Sequence, residues 1–362
     1  VPGSGKTTVL VTRLGYMLCC CGISPDAILT MTYTKAATRE MQKRFVRLFG
    51  QDCPQIPEIR TINGVSSKII DFYTRTHGSG NAFTVVENEG ELAKIVSDLY
   101  RKLSGEFATQ SVIKELRKGI AYVKNMMLGK EDLDELDTGF DQFPELYVQY
   151  NLALRQRRWM DYDDQMIYAI NLLKLCKDLL RDFQETYKYI CVDEAQDTSK
   201  IQHKLINMLA GKYRKLFMVG DEDQSIYGFR AAYPEALISF EENYPGANVL
   251  LMEENFRSAG KIVKAADRFV SKNTMRHEKH MKATRDMGVD IKTIKVNDRK
   301  DQYSHLIEAA RQCQMEKYEI EQSRMKKYQT EQSRINGVES GFEEKTMGQK
   351  VTAVLYPENE CI

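Results

Sequence analysis

The sequence lacks long hydrophobic runs, an export signal and paired cysteine motifs. None of its 362 residues belongs to an apolar run of roughly 18 or more, so no membrane span is predicted. The first residue is Val1, and no pattern of a charged and then an apolar leader follows it. The eight cysteines contain no C-x-x-C pair, which argues against a zinc site. We therefore expect a cytoplasmic protein with free thiols.

A net charge is also nearly absent, but its two signs are unevenly distributed. The chain has 52 Lys and Arg residues against 51 Asp and Glu residues, and 42% of it is hydrophobic, as in soluble globular proteins. Residues 257–285 nevertheless contain nine basic and two acidic residues, and residues 1–47 contain seven and two. Such stretches either bind a phosphate backbone or form an ordinary basic surface, and composition leaves both interpretations open.

The chain begins with a partial phosphate-binding loop. Residues 1–8 read V-P-G-S-G-K-T-T, so Gly5, Lys6 and Thr7 match the end of the pattern G-x-x-x-x-G-K-[ST]. Backbone N–H groups of such a loop surround phosphate oxygens, the lysine contacts the outer phosphates, and the hydroxyl binds Mg²⁺. The first glycine of the pattern and the strand before the loop are missing. We therefore expect a fragment of a longer protein.

Two carboxylates follow a predicted strand in the middle of the chain. The run Tyr189–Val192 is short, apolar and partly β-branched, which is typical of a buried parallel strand. Asp193 and Glu194 come directly after it. In phosphate-loop ATPases, an Asp at this point holds Mg²⁺ and a Glu accepts a proton from the attacking water.

A third candidate segment combines an amide, aromatic rings and a cation. A predicted strand, 216–219, ends at Gly220, and Gln224 could then bond a γ-phosphate or the attacking water. Tyr227, Phe229 and Arg230 suit stacking on unpaired bases and pairing with phosphate. Taken alone, a segment of this kind more often packs in a core.

The order of the motifs resembles the superfamily 1 DNA helicases of the UvrD/Rep/PcrA type. The series along the chain is V-P-G-S-G-K-T, T-M-T-Y-T-K-A-A (30–37), R-T-I-N-G (60–64), D-Y-D-D-Q-M (161–166), D-E-A-Q-D (193–197), G-D-E-D-Q-S-I-Y-G-F-R (220–230) and E-N-F-R-S (254–258). The blocks D-E-A-Q-D and G-D-x-D-Q-S-I-Y are highly specific to that family. The resemblance extends over about the first 290 residues.

The resemblance implies an ATP site with Mg²⁺ and a track for single-stranded DNA. Asp193 and Thr7 would hold Mg²⁺, Glu194 would be the general base, and Gln224 and Arg257 would contact the γ-phosphate. The implied ATP-binding residues are Gly3, Ser4, Gly5, Lys6, Thr7, Thr8 and Phe256, the last in place of the usual Tyr. The implied DNA-binding residues are Tyr33, Lys35, Thr61, Asn63, Tyr227, Phe229 and Arg230. Asn63 replaces a usual His, and Lys35 replaces a common Asn.

The implied architecture is α/β, with a RecA-like core whose parallel sheet carries helices on both faces. Residues 1–75 and 156–255 would form this first core, 76–155 a helical insertion, and 256–362 part of a second RecA-like core. Within the first core, 27–34 is predicted as a strand and 35–49 as a helix. A polar, charged insertion is predicted near 315–350, as a solvated helix or hairpin arm, with a strand at 351–356.

The resulting functional hypothesis is an ATP-dependent DNA helicase or translocase that moves 3′ to 5′ and unwinds duplexes. Its partners would be ATP, DNA and repair or recombination proteins. The chain lacks the last family motifs, so we expect incomplete turnover by these 362 residues alone. Two alternatives stay open, the motor subunit of a helicase–nuclease and a non-catalytic module that binds ATP and single strands. A small-molecule kinase would explain G-S-G-K-T but not the two specific blocks.

Overall fold

The computed structural model describes residues 1–78, 83–225 and 231–332. In these residues the protein is a mixed α/β structure, which confirms the predicted class. Its strands are short, and they are β1 Ile28–Thr32, β2 Glu58–Thr61, β3 Thr84–Val85, β4 Trp159–Met160, β5 Tyr189–Val192, β6 Leu216–Met218, β7 Glu254–Asn255 and β8 Lys282–Ala283. The strand β5 has the predicted bounds, whereas β1 and β6 are shorter than predicted.

The central sheet has the order β2-β1-β5-β6, and all of its neighbouring strands are parallel. Parallel strands need long crossovers, which helices supply here. The helices of this part are α1 Lys6–Cys19, α2 Lys35–Phe49, α3 Ile62–His77, α8 Tyr162–Leu175, α9 Lys177–Thr186 and α10 Lys200–Ala210. The predicted helix over 35–49 is confirmed at both ends.

Alternation along the strands builds a core on each face of the sheet. In β1, Ile28 packs into the cluster under α1 and α2, whereas Leu29 and Met31 pack into the cluster under α3, α8 and α10. In β5, Cys191 joins the first cluster, and Val192 joins the second. A strand that is buried on both faces reads as a continuous apolar run, which is why β5 could be predicted from sequence.

Between β3 and β4 the chain is helical and has its own apolar cluster. The helices are α4 Glu89–Ser104, α5 Gln110–Met126, α6 Lys130–Asp134 and α7 Phe143–Gln156. Buried side chains such as Leu116, Phe143 and Leu146 form the centre of this cluster. Gly119 allows α5 to approach Phe143, because a Cβ there would lie 3.0 Å from the ring.

An ion pair joins this helical cluster to the start of α8. The Lys124 side chain on α5 is 1% exposed, and its Nζ lies 2.6 Å from Asp161 Oδ2 and 2.8 Å from Asp164 Oδ1. Tyr150 donates a hydrogen bond to Asp161 at 3.0 Å. Next to Lys124, Asn125 donates to Asp163 at 2.8 Å. The first turn of α8 is therefore held by α5 and α7.

Removal of the Lys124 charge should destabilise the fold. We expect Lys124→Met to lower the free energy of unfolding by about 3–5 kcal/mol, because two carboxylates would lose their buried cation. Urea unfolding followed by circular dichroism measures this change. The control is Lys118→Met on the same helix, since Lys118 pairs with Glu115 where both side chains are exposed. That control should change stability by less than about 1 kcal/mol, and equal effects would contradict the assignment.

After β6 the chain forms the short helices α11 Glu235–Ile238 and α12 Phe240–Asn243, the strand β7, the helix α13 Gly260–Val270 and the strand β8. The strands β7 and β8 pair in parallel, with Asn255 opposite Ala283. Val263 of α13 and Met281 bury themselves against Val1. The segment around β7 and β8 is thereby held against the start of the chain.

The described residues from Ile291 onward belong to a separate unit. Its described part contains one long helix, α14 Arg299–Gln332. The helix covers the first half of the charged region that was predicted as a solvated helix or hairpin arm. The strand predicted at 351–356 lies outside the described residues.

The expectation that all cysteines are free thiols is wrong for one pair. Cys19 and Cys53 form a disulfide. Cys19 ends α1 and Cys53 follows α2, and the packing of these helices brings the two Cα atoms within 6.5 Å. The spacing of 34 residues gave no local signal for this pairing. In the described part of the chain, no helix has both the length and the apolar character to cross a membrane.

Candidate functional site

The phosphate loop precedes α1 in a conformation that favours glycine. Gly3 and Gly5 have φ angles of 68° and 88°, in the left-handed region. Gly5 is the N-cap of α1 and has no side chain that could accept a hydrogen bond from the first turn. The N–H groups of that turn are therefore available to another acceptor. These donors and the helix dipole favour an anion at this point. The geometry fits a phosphate group.

A second segment packs directly on this loop. The backbone N–H of Phe256 donates to the Gly3 carbonyl at 3.0 Å, and Asn255 Nδ2 donates to the Pro2 carbonyl at 2.7 Å. A Cβ on Gly3 would lie 2.7 Å from the Cβ of Arg257, which shows how closely the two backbones approach. The contacts place the Phe256 ring, 53% exposed, and Arg257 beside the loop.

The two carboxylates after β5 reach the loop in different ways. The Thr7 hydroxyl donates to Asp193 Oδ2 at 3.2 Å. Glu194 has a φ of 51°, which is uncommon for a residue with a side chain and ends the alternation of the strand. Its carboxylate lines the same cleft and accepts a hydrogen bond from Gln196 Nε2 at 2.9 Å.

The pKa of Asp193 is raised to about 6, first by burial and then by the neighbouring charge of Glu194. A buried carboxylate with few partners gains from a cation nearby. Among the described residues, no three His, Cys, Asp or Glu side chains cluster as a metal site of their own. Magnesium typically takes one or two carboxylates together with phosphate oxygens and water. Asp193 and Thr7 fit that pattern, with oxygen ligands only.

Gln224 is held at the cleft by a buried carboxylate that precedes it. Its Nε2 donates to Asp221 Oδ2, and the Asp221 side chain is fully buried. The other side of Asp221 is fixed by its backbone N–H, which donates to Gln196 Oε1 at 2.9 Å. Gln196 thus connects Glu194 with the segment that carries Gln224.

These elements surround one open cleft of about 500 Å³. The predicted residues that line it are Gly3, Ser4, Gly5, Lys6, Thr7, Thr8, Glu194, Gln224, Phe256 and Arg257. The structure therefore brings these residues together although the chain separates them by up to 254 positions. Three further side chains line the cleft that sequence reasoning did not identify, Glu40, Arg44 and Arg285.

The additional cations are positioned by local contacts. Arg44 on α2 donates to the Thr8 hydroxyl at 3.2 Å and pairs with Glu40 at 2.8 Å. Arg285 donates through Nε to the Phe256 carbonyl at 2.8 Å. In the sequence, Arg285 was indicated only as one of the basic residues of the stretch 257–285.

That stretch is not one basic surface. Arg276 and Lys279 are buried in ion pairs with the acidic residues 221–223, with side chains 8% and 5% exposed. Lys261 pairs with Asp290, and Lys282 pairs with Glu253. Several cations of this stretch are therefore engaged in ion pairs within the protein. Fewer of its nine basic residues are available to bind a phosphate backbone.

The predicted DNA-binding residues fall into two groups. Tyr33 and Lys35 follow β1, and Thr61 and Asn63 lie where β2 passes into α3. Because Thr32 is opposite Thr61 in the parallel register, all four residues lie at the same edge of the sheet. The Thr61 hydroxyl caps α3 by accepting from the Gly64 N–H at 3.1 Å. Tyr227, Phe229 and Arg230 lie outside the described residues.

Comparison with known proteins gives one consistent result. Residues 1–245 match the UvrD/REP helicase N-terminal domain. The chain is 32% identical over 293 residues to the ATP-dependent DNA helicase PcrA of Bacillus subtilis, which covers 80% of this chain and 39% of that relative. It is 28% identical over 321 residues to the PcrA of Leuconostoc citreum, covering 87% of this chain and 42% of that relative. The chain thus spans about two fifths of the length of these relatives.

Proposed function

The chain belongs to the UvrD/REP helicase family, and we propose that it is the ATP-hydrolysing part of a motor that moves 3′ to 5′ along single-stranded DNA and unwinds duplexes. The observation that carries this proposal is the single cleft that collects residues from the loop 3–8, from the end of β5 and from segments 221–224 and 256–257. A cleft of this composition suits a nucleoside triphosphate better than an uncharged ligand.

The proposed architecture follows the family scheme. Residues 1–75 and 156–255 would form a RecA-like core around the parallel sheet, and 76–155 a helical insertion. The separate apolar cluster of α4–α7 supports the insertion. Residues 256–362 would begin a second RecA-like core. The strand β8 lies in this range and pairs in parallel with β7, which ends at Asn255 directly before it.

In the proposed complex, each side of the cleft contacts a different part of the nucleotide. The N–H groups at the start of α1 and the Lys6 ammonium would hold the triphosphate. Phe256 is exposed at the cleft and would stack on the base, while Arg44 and Arg285 add positive charge around it. Thr7 and Asp193 would hold Mg²⁺, which when bound supplies positive charge that stabilises the phosphoryl group during transfer.

The hydrolysis step requires a base and a group that orients water. Glu194 would accept the proton of the attacking water, since its carboxylate lines the cleft while Asp193 is engaged by Thr7. Gln224 would orient that water or contact the γ-phosphate, and Arg257 would stabilise developing negative charge. The link from Glu194 through Gln196 to Asp221 supports joint positioning of the base and Gln224.

The proposed DNA track passes the edge of the sheet where β1 and β2 end. Tyr33 offers a ring for base stacking, and Lys35 offers an exposed cation for phosphate. Thr61 and Asn63 would add contacts from the start of α3. Tyr227, Phe229 and Arg230 would extend the track by the family resemblance.

The test is hydrolysis of ATP and strand separation by the complete gene product. We expect ATP turnover to rise at least about tenfold with single-stranded DNA, and a duplex with a 3′ single-stranded tail to be separated in preference to one with a 5′ tail. An ATPase that ignores DNA would contradict the motor assignment. Preference for the 5′ tail would contradict the direction alone.

A further inference from the structure

Lys279 is a buried cation that lies close to the cleft without lining it. Its side chain is 5% exposed, and its Nζ lies 2.8 Å from Asp221 Oδ1, 2.8 Å from Glu222 Oε2 and 3.4 Å from Asp223 Oδ2. Arg276 donates two hydrogen bonds to Asp223, from Nε to Oδ1 at 2.9 Å and from Nη2 to Oδ2 at 2.7 Å. Two cations thus meet three consecutive carboxylates, and His277 contacts Glu222 as well. A buried cluster of charges is stable only when each charge is paired with one of opposite sign.

The two oxygens of Asp221 serve different partners. Oδ1 accepts from Lys279, whereas Oδ2 accepts from Gln224 and lies 3.7 Å from the Lys6 ammonium. Burial alone would raise the pKa of Asp221, but the hydrogen bond and charge of Lys279 outweigh it and hold that pKa below its ordinary value. A buried, ionised carboxylate therefore faces the lysine of the phosphate loop.

This carboxylate and a bound triphosphate would compete for the same ammonium group. The other side-chain cation near Asp221 is Lys6, whose Nζ lies 3.7 Å from Oδ2. If Lys279 were absent, Lys6 would be the nearest side-chain cation available to Asp221. A buried carboxylate without another partner holds its remaining cation strongly.

We propose that Lys279 is a positioning residue of the nucleotide site, which neutralises Asp221 and so leaves the Lys6 ammonium available to a triphosphate. The inference rests on the proposed ATP-binding function and adds a residue that does not touch the nucleotide. It also gives a role to the segment 276–285. That segment holds 221–223 at one end, and at the other it pairs with β7 beside Phe256. One segment thereby connects two walls of the cleft.

The experiment compares ATP affinity in a charge series on the complete gene product. A fluorescent ATP analogue is titrated with Mg²⁺ present against wild type, Lys279→Met, Asp221→Asn and the double variant, and thermal unfolding reports whether each is folded. We expect Lys279→Met to weaken binding about tenfold, because Asp221 then holds Lys6. Asp221→Asn should bind within about twofold of wild type, since Lys279 already neutralises Asp221 in the wild-type protein.

The double variant separates competition from simple structural damage. Once Asp221 is neutral, loss of Lys279 should change affinity by no more than about twofold relative to Asp221→Asn alone. The matched control Lys212→Met removes a surface cation that pairs with Glu185 at 2.9 Å, and it should bind as wild type does.

Each outcome decides between two conclusions. Wild-type affinity in Lys279→Met, or weak binding that persists in the double variant, would overturn the positioning role and leave the proposed function intact. If Lys279→Met does not fold, the double variant still decides, because an affinity well below that of Asp221→Asn overturns the role. An affinity of Asp221→Asn several times above wild type overturns it as well, because Asp221 would then compete for Lys6 in spite of Lys279. A wild-type chain that does not bind the analogue would instead remove the proposed function itself.

Discussion

Replacement of Lys6 by Ala is expected to lower ATP hydrolysis roughly 100- to 1,000-fold in the complete gene product. Lys6 is the first residue of α1, and it lines the cleft. Its loss removes a charge from the point where negative charge of the triphosphate would lie. The measurement is steady-state ATP turnover with saturating single-stranded DNA.

The Lys6→Ala change should reduce function without unfolding the protein. Asp221 would lose a cation at 3.7 Å but keep Lys279 at 2.8 Å, so no buried carboxylate becomes unpaired. We expect unchanged thermal unfolding as a consequence. Lys6→Arg tests geometry, since a guanidinium keeps the charge but not the compact shape of an ammonium, and it should also be impaired. Turnover of Lys6→Ala at the wild-type rate would contradict the loop assignment.

The parts of the fold that sequence could predict depend on local patterns. The strand β5 is an apolar run because both faces of the sheet are covered, and α2 shows helical spacing because one face packs on the sheet. Most cleft residues were predicted for a different reason, the resemblance of the ordered motif series to a known family. The glycines of the phosphate loop also have a local cause, since Gly3 and Gly5 have positive φ angles that few residues can adopt.

The contacts that sequence could not predict join distant segments. Lys279 and Asp221 are 58 positions apart, and neither lies in a pattern that specifies the other. Asp221 belongs to the motif block 220–230, in which no role was predicted for it, whereas Lys279 was one of many cations in a basic stretch. The disulfide between Cys19 and Cys53 escaped prediction in the same way, because it depends on how α1 packs against α2.

Replacement of Glu194 by Gln should separate ATP binding from ATP hydrolysis. We expect turnover to fall roughly 100- to 10,000-fold, because an amide cannot accept the proton of the attacking water. Binding should change little, since Gln has the same shape and its oxygen can still accept from Gln196 Nε2. The strained backbone at Glu194 is also compatible with Gln, as neither side chain branches at Cβ.

The comparison with Asp193→Asn makes this prediction specific. Asp193 contacts the Thr7 hydroxyl and would hold Mg²⁺, so its loss should weaken binding of the ATP analogue only when Mg²⁺ is present. Glu194→Gln should show the reverse pattern, with Mg²⁺-dependent binding retained and single-turnover hydrolysis lost. If both variants lost binding alike, the adjacent carboxylates would share one role in metal binding. The base would then have to be sought among other groups of the cleft, and Gln224, an amide, could orient water there but could not take its proton.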